Sequence, residues 1–311
     1  MSDFATLVGA EGPVTVVGGR TRWHVGGEVH PDAREVHAPS GVVSYDPAEM
    51  TVTVRAGTTT AELTAALAEA GQRCALPERG GTVGGSVVIG ENHPEVLGRG
   101  WLTSSVLQVT YISAEGKLVR GGGPTVKNVS GFDLPRLIVG SLGTLGLVEE
   151  VILRTNPIPP RSQWVESHDA DPFAVASRVL RPSAALWNGS STRVLLEGHA
   201  PDVAASLNSL TAIGAWSEVD GSFELPQHRW SLQPAELDGC SGTFVASIGV
   251  GTVWRDEPQP RPALSPSVIE ISTRMKNNFD PTGRLNPGRS CLLYTSPSPR
   301  DQRGSRMPSS A

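Results

Sequence analysis

Residues Lys127 to Val151 read KNVSGFDLPRLIVGSLGTLGLVEEV, and the order of the parts in this stretch constrains the fold. A short helical pattern over about Leu134 to Val139 leads into a glycine cluster, GSLGTLG, and then into the strand-like run Leu147 to Arg154. A dinucleotide-binding GxGxxG must follow a strand and open a helix, whereas these glycines follow a helix and open a strand. The stretch therefore argues against a Rossmann fold.

The residues before this stretch, from Val14 onwards, mix short β-branched runs with helical patterns. Thr51 to Ala56 (TVTVRA) alternates with period two, as a half-buried strand does. A helix is predicted immediately afterwards, because Thr59 and Glu62 form a capping box and Gly71 supplies a C-terminal stop. The pattern predicts an α+β domain.

Proline marks the predicted end of this domain. Asn156 to Pro160 reads NPIPP, and its prolines remove backbone donors and disfavour helix on the residues before them. We therefore expect a first domain over residues 1–157 and a smaller α+β domain, a sheet with covering helices, over residues 158–289. Residues 290–311 change abruptly to Ser, Pro and Arg without periodicity, and we interpret them as a non-native or disordered tail.

Composition narrows the functional class. The chain has 311 residues, 38% of them hydrophobic, which is enough for two cores, and a net charge of -5, which offers no basic field for a nucleic acid or an anionic membrane surface. Cys74, Cys240 and Cys291 form no CxxC pair that would indicate a disulfide framework, zinc or an iron–sulfur cluster. The first residues lack a secretory pattern, and no apolar run approaches roughly 20 residues, so we expect a cytoplasmic protein.

Two more glycine clusters lie where strands lead into loops. In VVGGRTRWHVGG, residues 16–27, the adjacent glycines can present consecutive N–H groups to an anion, Thr21 adds a hydroxyl, and Arg20 or Arg22 adds a positive charge. This arrangement suits a diphosphate, although an ordinary glycine-rich turn also explains it. In ERGGTVGGSVV, residues 78–88, four glycines surround Thr82, which indicates either a close approach to a flat or charged group or a tight turn.

The three clusters, taken in order, resemble the flavin oxidases of the vanillyl-alcohol-oxidase family, in which G[YF]DL precedes GSxGTLG. FDPTGRLNPGR, Phe279 to Arg289, resembles the family's terminal FDPxGxLNPGR element, so the resemblance spans nearly the whole chain. TVKNVSGFDLPRLIVGS and SYDPAEMTVTVRAGTTTAELTAALAEAGQ look most like the E subunits of glycolate oxidases. The chain departs from this pattern at Leu142, Phe132 and Ser104, where relatives often carry Glu, Tyr and Asp.

This resemblance implies an α+β fold with a two-subdomain, PCMH-type FAD-binding domain. Arg20 occupies the place where relatives with covalent flavin carry the attachment histidine, so we expect non-covalent FAD. The cofactor-binding residues that the resemblance implies are Gly18, Gly19, Arg20, Thr21, Thr82, Val83, Gly84, Gly85, Ser86, Gly140, Ser141, Gly143, Thr144, Leu145, Gly146 and Val148.

The implied chemistry is hydride transfer from a 2-hydroxy acid to flavin, with a base for the hydroxyl proton and an arginine for the carboxylate. Arg274, Lys276 and Asn277 are the catalytic candidates, and a solvated helix end is the alternative interpretation of these residues. The HxGDGN-like run of metal-dependent relatives is absent, and the histidines near the first glycine cluster are too widely spaced for one helix face, so we expect no metal.

The resemblance also implies partners. As an E subunit, the chain would pass electrons through flavin to a glycolate oxidase-like complex with a homologous FAD subunit and an iron–sulfur subunit, and any membrane association would come through a partner. Three alternatives stay open at this point: a stand-alone oxidase or dehydrogenase of a D-2-hydroxy acid or sugar alcohol, a non-catalytic flavin-carrying scaffold subunit, and an NADPH-dependent sugar-nucleotide reductase.

Overall fold

The computed structural model describes residues 2–124, 133–260 and 265–289. The chain divides into two compact units, and it passes from the first to the second between Ile158 and Pro159. Residues 94–98 group with the second unit, and residues 265–289 group with the first. The start of the family motif, Lys127 to Phe132, lies outside the described residues, as do Cys291 and the tail from residue 290.

The described residues of the first unit form two sheets. Its strands are β1 Val14–Val16, β2 Arg34–Val36, β3 Val42–Asp46, β4 Thr51–Arg55, β5 Gln72–Cys74, β6 Val106–Ile112, β7 Leu118–Gly122 and β8 Leu147–Pro157. β1 and β2 form a parallel pair. The other strands form an antiparallel sheet in the order β3-β4-β8-β6-β7, and β5 pairs with the end of β8.

Helices occur in both units, and together with the sheets they confirm the α+β class. They are α1 Asp3–Val8, α2 Thr60–Ala68, α3 Val83–Ile89, α4 Val96–Arg99, α5 Leu102–Ser105, α6 Leu134–Ile138, α7 Val175–Arg178, α8 Ala200–Leu210 and α9 Pro266–Phe279. Helix α2 begins at the predicted capping box, in which Glu62 N–H donates to Thr59 Oγ1 over 3.1 Å and Thr59 N–H donates to Glu62 over 2.9 Å. Within the described ranges, no helix is long and apolar enough to cross a membrane.

The core of the first unit fixes the position of α3 and of the turn before it. Val52 and Val54 of β4 point into this core, and Leu67 of α2 is fully buried against it. Val83 and Val87 of α3 are fully buried in the same cluster. Burying a side chain of this size contributes about 1.5–3 kcal/mol, so α3 is held firmly and its preceding turn has little freedom.

The terminal element, Phe279 to Arg289, adds to the parallel pair of the first unit. Leu285 bridges to Val14 in parallel, Val14 N–H donates to the Arg284 carbonyl over 2.9 Å, and Asn286 N–H donates to the Val14 carbonyl over 2.8 Å. The expected second domain of residues 158–289 is corrected at this end, because these bonds place residues 265–289 in the first unit.

Buried polar groups hold the terminal element in place. The Arg284 side chain donates to the carbonyls of Val8, Glu11, Gly12 and Ala114. Asp280, which is 1% exposed, accepts from the N–H groups of Arg284 and Leu285. The two ends of the described chain are therefore joined by hydrogen bonds that no local sequence pattern predicts.

In the second unit, the described residues form an antiparallel sheet with helices against it. Its strands are β9 Arg161–Ser167, β10 Ala184–Trp187, β11 Thr192–Gly198, β12 Ser217–Val219, β13 His228–Ser231, β14 Phe244–Ser247 and β15 Thr252–Arg255. Their order is β12-β9-β11-β10-β14-β15-β13. Val203 and Leu210 of α8 share a buried cluster with Val194 and Leu196 of β11, and short 3₁₀ helices lie at Pro172–Ala174 and Pro234–Gly239.

Candidate functional site

An open cleft in the first unit brings together segments that are far apart in the sequence. Its walls are formed by the loop after β1, the turn before α3, α3 itself, the turn after α6 and the terminal element. The space between these walls is about 510 Å³ and is open to solvent. The lining residues are Val16, Gly18, Gly19, Arg20, Thr21, Arg22, Trp23, Gly81, Thr82, Gly85, Val88, Ile89, Leu142, Asn286 and Arg289. Residues from the first two glycine clusters, which were predicted to bind the cofactor, therefore line the same cleft.

The loop after β1 and the turn before α3 touch through glycine backbone. A Cβ built on Gly18 would lie 2.6 Å from Thr82 Oγ1, and one on Gly19 would lie 3.0 Å from the Cα of Gly81. A Cβ on Gly81, whose φ is +85°, would lie 2.8 Å from Thr21 Oγ1. Glycine is favoured at Gly19 because its Cβ would meet backbone, at Gly81 because its φ is positive, and at Gly18 because the Thr82 side chain is close.

The loop after β1 presents a row of N–H groups. Val17 N–H donates to the Val36 carbonyl over 2.9 Å, and Trp23 N–H donates to the Arg20 carbonyl over 3.3 Å. Between them, the N–H groups of residues 18–21 donate to no acceptor in the part of the chain that the structure describes. Consecutive N–H groups of this kind bind anions, so the loop fits the diphosphate group predicted for it.

The turn before α3 is divided between the cleft and the core. Thr82 caps α3 by accepting from Gly85 N–H over 3.2 Å, and both residues line the cleft. Gly84 does not line it, and its Cβ would lie 2.7 Å from Cβ of Ala56. Val83 and the fully buried Ser86 also lie away from the cleft surface.

The third glycine cluster shapes the chain beside the cleft. None of its predicted residues, Gly140, Ser141, Gly143, Thr144, Leu145, Gly146 and Val148, lines the cleft. Gly143 has a φ of +69°, and its Cβ would lie 2.7 Å from Asn286 Nδ2. Contact of the third cluster with a cofactor stays a prediction. In the structure its residues have a packing role, which places Leu142 and Asn286 at the cleft.

Backbone strain concentrates around the cleft. In the described ranges, the non-glycine residues with positive φ are Arg20 (53°), Met50 (52°), Leu142 (53°) and Asn286 (45°), and all except Met50 line the cleft. Such a conformation costs on the order of 1–3 kcal/mol per residue and persists where the surroundings impose it, most often at functional sites. The side chain of Asn286 helps to impose it, because it donates to the Leu142 carbonyl over 2.6 Å and accepts from the Thr15 hydroxyl.

Trp23 and Arg289 line the cleft, and neither was predicted from the sequence as a site residue. The guanidinium carbons of Arg20 and Arg289 lie 4.7 and 4.6 Å from the centre of the Trp23 ring. Arg289 also donates to the carbonyls of Trp23 and Val25, and burial lowers its pKa from the ordinary value. Its place at the end of the terminal element was the available signal, since that element resembles a family motif.

The catalytic candidates lie apart from this cleft. Arg274 and Asn277 are exposed on α9, and neither they nor Lys276 lines the cleft. Lys276 Nζ donates to the Thr144 carbonyl over 2.8 Å and to Asp280 over 2.5 Å, which gives it a structural role. A catalytic role for these residues stays a prediction. Among the described residues, no group of three or more His, Cys, Asp or Glu side chains could hold a metal ion.

Comparisons with known proteins identify an FAD-binding domain and relatives among glycolate oxidase subunits. A family model described as "FAD binding domain" matches residues 5–122. The chain is 37% identical over 322 residues to glycolate oxidase subunit GlcE of Escherichia coli (strain K12), covering 89% of this chain and 92% of that protein. It is 32% identical over 151 residues to glycolate oxidase subunit GlcD of Bacillus subtilis (strain 168), covering 46% of this chain and 31% of that protein.

A solved structure of alkyldihydroxyacetonephosphate synthase has a similar fold. Its TM-score is 0.66 at 13% sequence identity, and the match covers 88% of this chain and 71% of that chain. At this identity the similarity supports the fold alone.

Proposed function

The chain belongs to the family of the glycolate oxidase E subunits and carries an FAD-binding domain, and on that premise we propose that it is the FAD-binding subunit of a complex that oxidises glycolate or another 2-hydroxy acid. The family, the PCMH-type domain and FAD as the cofactor, all expected from the sequence, are confirmed by these matches. The chain is accordingly an FAD-dependent oxidoreductase whose class acts on CH–OH groups.

The observation that carries the proposal is the row of N–H groups in the loop after β1. FAD has a diphosphate, and residues 18–21 offer consecutive donors in the cleft wall with no acceptor of their own among the described residues. Thr21 and Thr82 add hydroxyl groups on either side of the contact between the two loops. Gly18, Gly19, Arg20, Thr21, Thr82 and Gly85 are the predicted residues that this geometry supports.

The chain's own residues bind and orient the cofactor. FAD, when bound, supplies the acceptor for a hydride from C2 of the hydroxy acid and holds the two electrons until they are passed on. Arg20 cannot serve as a covalent attachment point for the flavin. Its guanidinium donates to both carboxylate oxygens of Glu35 at 2.7 Å and offers no nucleophile like that of histidine. We therefore propose that FAD is held non-covalently.

We also propose that the electrons leave through partner subunits. The match to a protein named as another subunit of glycolate oxidase supports a complex with a homologous FAD subunit. An iron–sulfur subunit would receive the electrons, since Cys74 and Cys240, the free cysteines in the described ranges, provide no cluster ligand set. In this proposal the complex is cytoplasmic, and any association with a membrane comes through a partner.

A second candidate function, a flavin-carrying subunit that does not itself oxidise substrate, is favoured by one specific observation. Arg274, Lys276 and Asn277 do not line the cleft, and Lys276 is held by backbone and Asp280 oxygens. In this case the chain holds electrons, while a homologous partner selects the hydroxy acid.

Activity of the purified chain separates these functions. The chain is reconstituted with FAD and assayed with glycolate and D-lactate and a dye acceptor, alone and after addition of candidate partner subunits. Turnover that needs a partner supports the complex, and bound FAD without turnover in any combination supports the flavin-carrying role. A chain that alone oxidises glycolate at the expense of oxygen, and that co-purifies with no flavin or iron–sulfur protein, would refute the subunit proposal.

A further inference from the structure

Arg289, the last residue of the terminal element, brings a positive charge to the cleft. Its guanidinium donates to the carbonyl of Trp23 over 2.8 Å and to that of Val25, and its Cζ lies 4.6 Å from the centre of the Trp23 ring. Among the described residues, these are the contacts that the guanidinium makes, and none is with a carboxylate. The charge of Arg289 is therefore not neutralised by an acidic side chain of the described ranges.

The cleft contains two other arginines, and both of them contact carboxylates. Arg20 donates to both oxygens of Glu35 at 2.7 Å, and the two side chains are 50% and 47% exposed. This charge is compensated and surrounded by water, which weakens its attraction for a ligand. Arg22 Nη1 lies 3.5 Å from a carboxylate oxygen of Glu91. Arg289 differs from both, because its partners in the described ranges are neutral.

The loop after β1 holds the Arg289 guanidinium in a fixed orientation. Aromatic ring faces attract guanidinium groups, and tryptophan does so most strongly. The two terminal nitrogens also donate to different carbonyls of the same loop, those of Trp23 and Val25. Burial lowers the pKa of Arg289, so the folded chain by itself destabilises this charge. An anion bound in the cleft would offset that cost.

We propose that Arg289 supplies the positive charge for the anionic diphosphate of FAD and that Trp23 is a positioning residue, which holds the guanidinium at the cleft. This inference rests on the proposed FAD site. The N–H groups of residues 18–21 and the charge of Arg289 then act on one anion from two segments of the cleft wall. Cofactor binding thereby depends on the far end of the described chain, because the terminal element that bears Arg289 is bonded to β1.

The test is the FAD affinity of the full-length apoprotein, measured by titration with oxidised FAD, in variants of Arg289. Lysine keeps a charge and hydrogen-bond donors, glutamine keeps donors alone, and methionine keeps neither. Arg289→Gln and Arg289→Met should each weaken FAD binding about tenfold or more, the usual effect of losing one charged hydrogen bond. Arg289→Lys should bind FAD several-fold more tightly than either. Oxidised FAD carries its negative charge on the diphosphate, so this dependence on charge reports contact with that group.

A tethering role without a charge effect predicts a different order of affinities. If Arg289 only fastens the loop after β1 through its hydrogen bonds, the lysine and glutamine variants should bind FAD alike and the methionine variant most weakly. That order would overturn the proposal. Thermal unfolding of each apoprotein checks that the affinities are compared between folded chains.

Substitutions of Trp23 test the positioning role. Trp23→Phe keeps an aromatic face and should retain FAD affinity within about threefold, whereas Trp23→Leu removes that face and should weaken binding several-fold. In an Arg289→Met background the two Trp23 variants should bind FAD equally, because the guanidinium that the ring positions is gone. A Trp23→Leu defect of the same size in that background would overturn the positioning role.

Arg34→Gln is the matched control. Arg34 lies in the same unit and also donates to two backbone carbonyls, those of Leu7 and Val8, but it does not line the cleft, so FAD affinity should be unchanged. If the unmodified chain fails to bind FAD, the proposed function is overturned. If that chain binds FAD and Arg289→Gln binds it equally well, the inference fails and the FAD site stands.

Discussion

The first and third glycine clusters have similar sequences of small residues but different functions in the first unit. Residues 18–21 line the cleft and have N–H groups with no acceptor in the described part of the chain. In residues 140–146, only Leu142 lines the cleft, and a Cβ on Gly146 would overlap the ring of Tyr111. The first cluster therefore combines close packing with backbone donors at the cleft, whereas the third uses glycine to let neighbouring parts of the protein approach.

This difference shows what glycine content alone does not reveal. An anion-binding loop and a packing turn both need glycine, because both require unusual φ values or close approach. They differ in whether the backbone donors are already satisfied and in which atoms a Cβ would meet. The consequences of substitution should differ accordingly, with packing glycines affecting stability first and loop glycines affecting the cofactor first.

The largest effect is expected at Gly143, in the third cluster. Gly143→Val places a β-branched residue at a φ of +69° and a Cβ 2.7 Å from Asn286 Nδ2. Strain and overpacking each cost about 1–3 kcal/mol, so the free energy of unfolding of the apoprotein should fall by roughly 2–6 kcal/mol, measured by urea denaturation. Gly123→Val is the control, since no atom of the residues that the structure describes lies within 4 Å of a Cβ there. Equal stability of the two variants would contradict the packing role.

A smaller loss of stability, with a larger loss of cofactor, is expected at Gly18 in the first cluster. In Gly18→Ala, the new Cβ meets Thr82 Oγ1 at 2.6 Å, so Thr82 must move and release the N–H of Gly85. Losing such a cap costs about 1 kcal/mol of unfolding free energy. FAD affinity should fall by about tenfold, because the two loops that bear the donors separate. An FAD titration beside a urea denaturation measures both quantities, and a loss of stability with intact FAD affinity would place Gly18 with the packing glycines.

The sequence was informative where the determinant is local. The capping box of α2 and the run of glycines after β1 depend on residues within a few positions, and each lies where it was predicted. The turn around Thr82 is also local, and the structure shows in addition that Thr82 caps α3. Asn286 and Arg289 could not be assigned to the cleft in this way. The hydrogen bond between Thr15 and Asn286 spans 271 positions, and its formation depends on the whole first unit being folded.

The same reason explains the error in the second domain boundary. Prolines mark the place where the chain leaves the first unit near Ile158, but no local pattern marks its return. The return depends on the buried carboxylate of Asp280 and on the four carbonyls that accept from Arg284. A family motif can indicate that such an element exists, but its hydrogen-bond partners can be identified only from the structure.

Acid should lower stability while leaving the charged groups of the cleft unchanged. Burial, with Arg99 and Arg73 nearby, holds the pKa of His93 well below 6.5 in the folded chain. At pH values below 6.5 the unfolded chain binds a proton that the folded chain does not, so stability falls with pH by up to about 1.4 kcal/mol per unit from this group. His93→Gln should flatten the slope of unfolding free energy against pH below 6.5. An unchanged slope in that variant would exclude His93 as the source.

The smallest effect is expected at Glu35, and it distinguishes Arg20 from Arg289. Glu35→Gln releases Arg20 from an ion pair in which both side chains are about half exposed, and such pairs contribute about 0.2–1 kcal/mol. If Arg289 carries the contact with the diphosphate, freeing Arg20 should leave the dissociation constant for FAD unchanged within about twofold. If Arg20 carries it, the removal of its competing carboxylate should tighten FAD binding several-fold. Titrations of Glu35→Gln and Lys117→Gln with FAD at the same ionic strength decide between these outcomes. Lys117→Gln is the control, because it removes an exposed positive charge far from either arginine in sequence and reports any general effect of net charge.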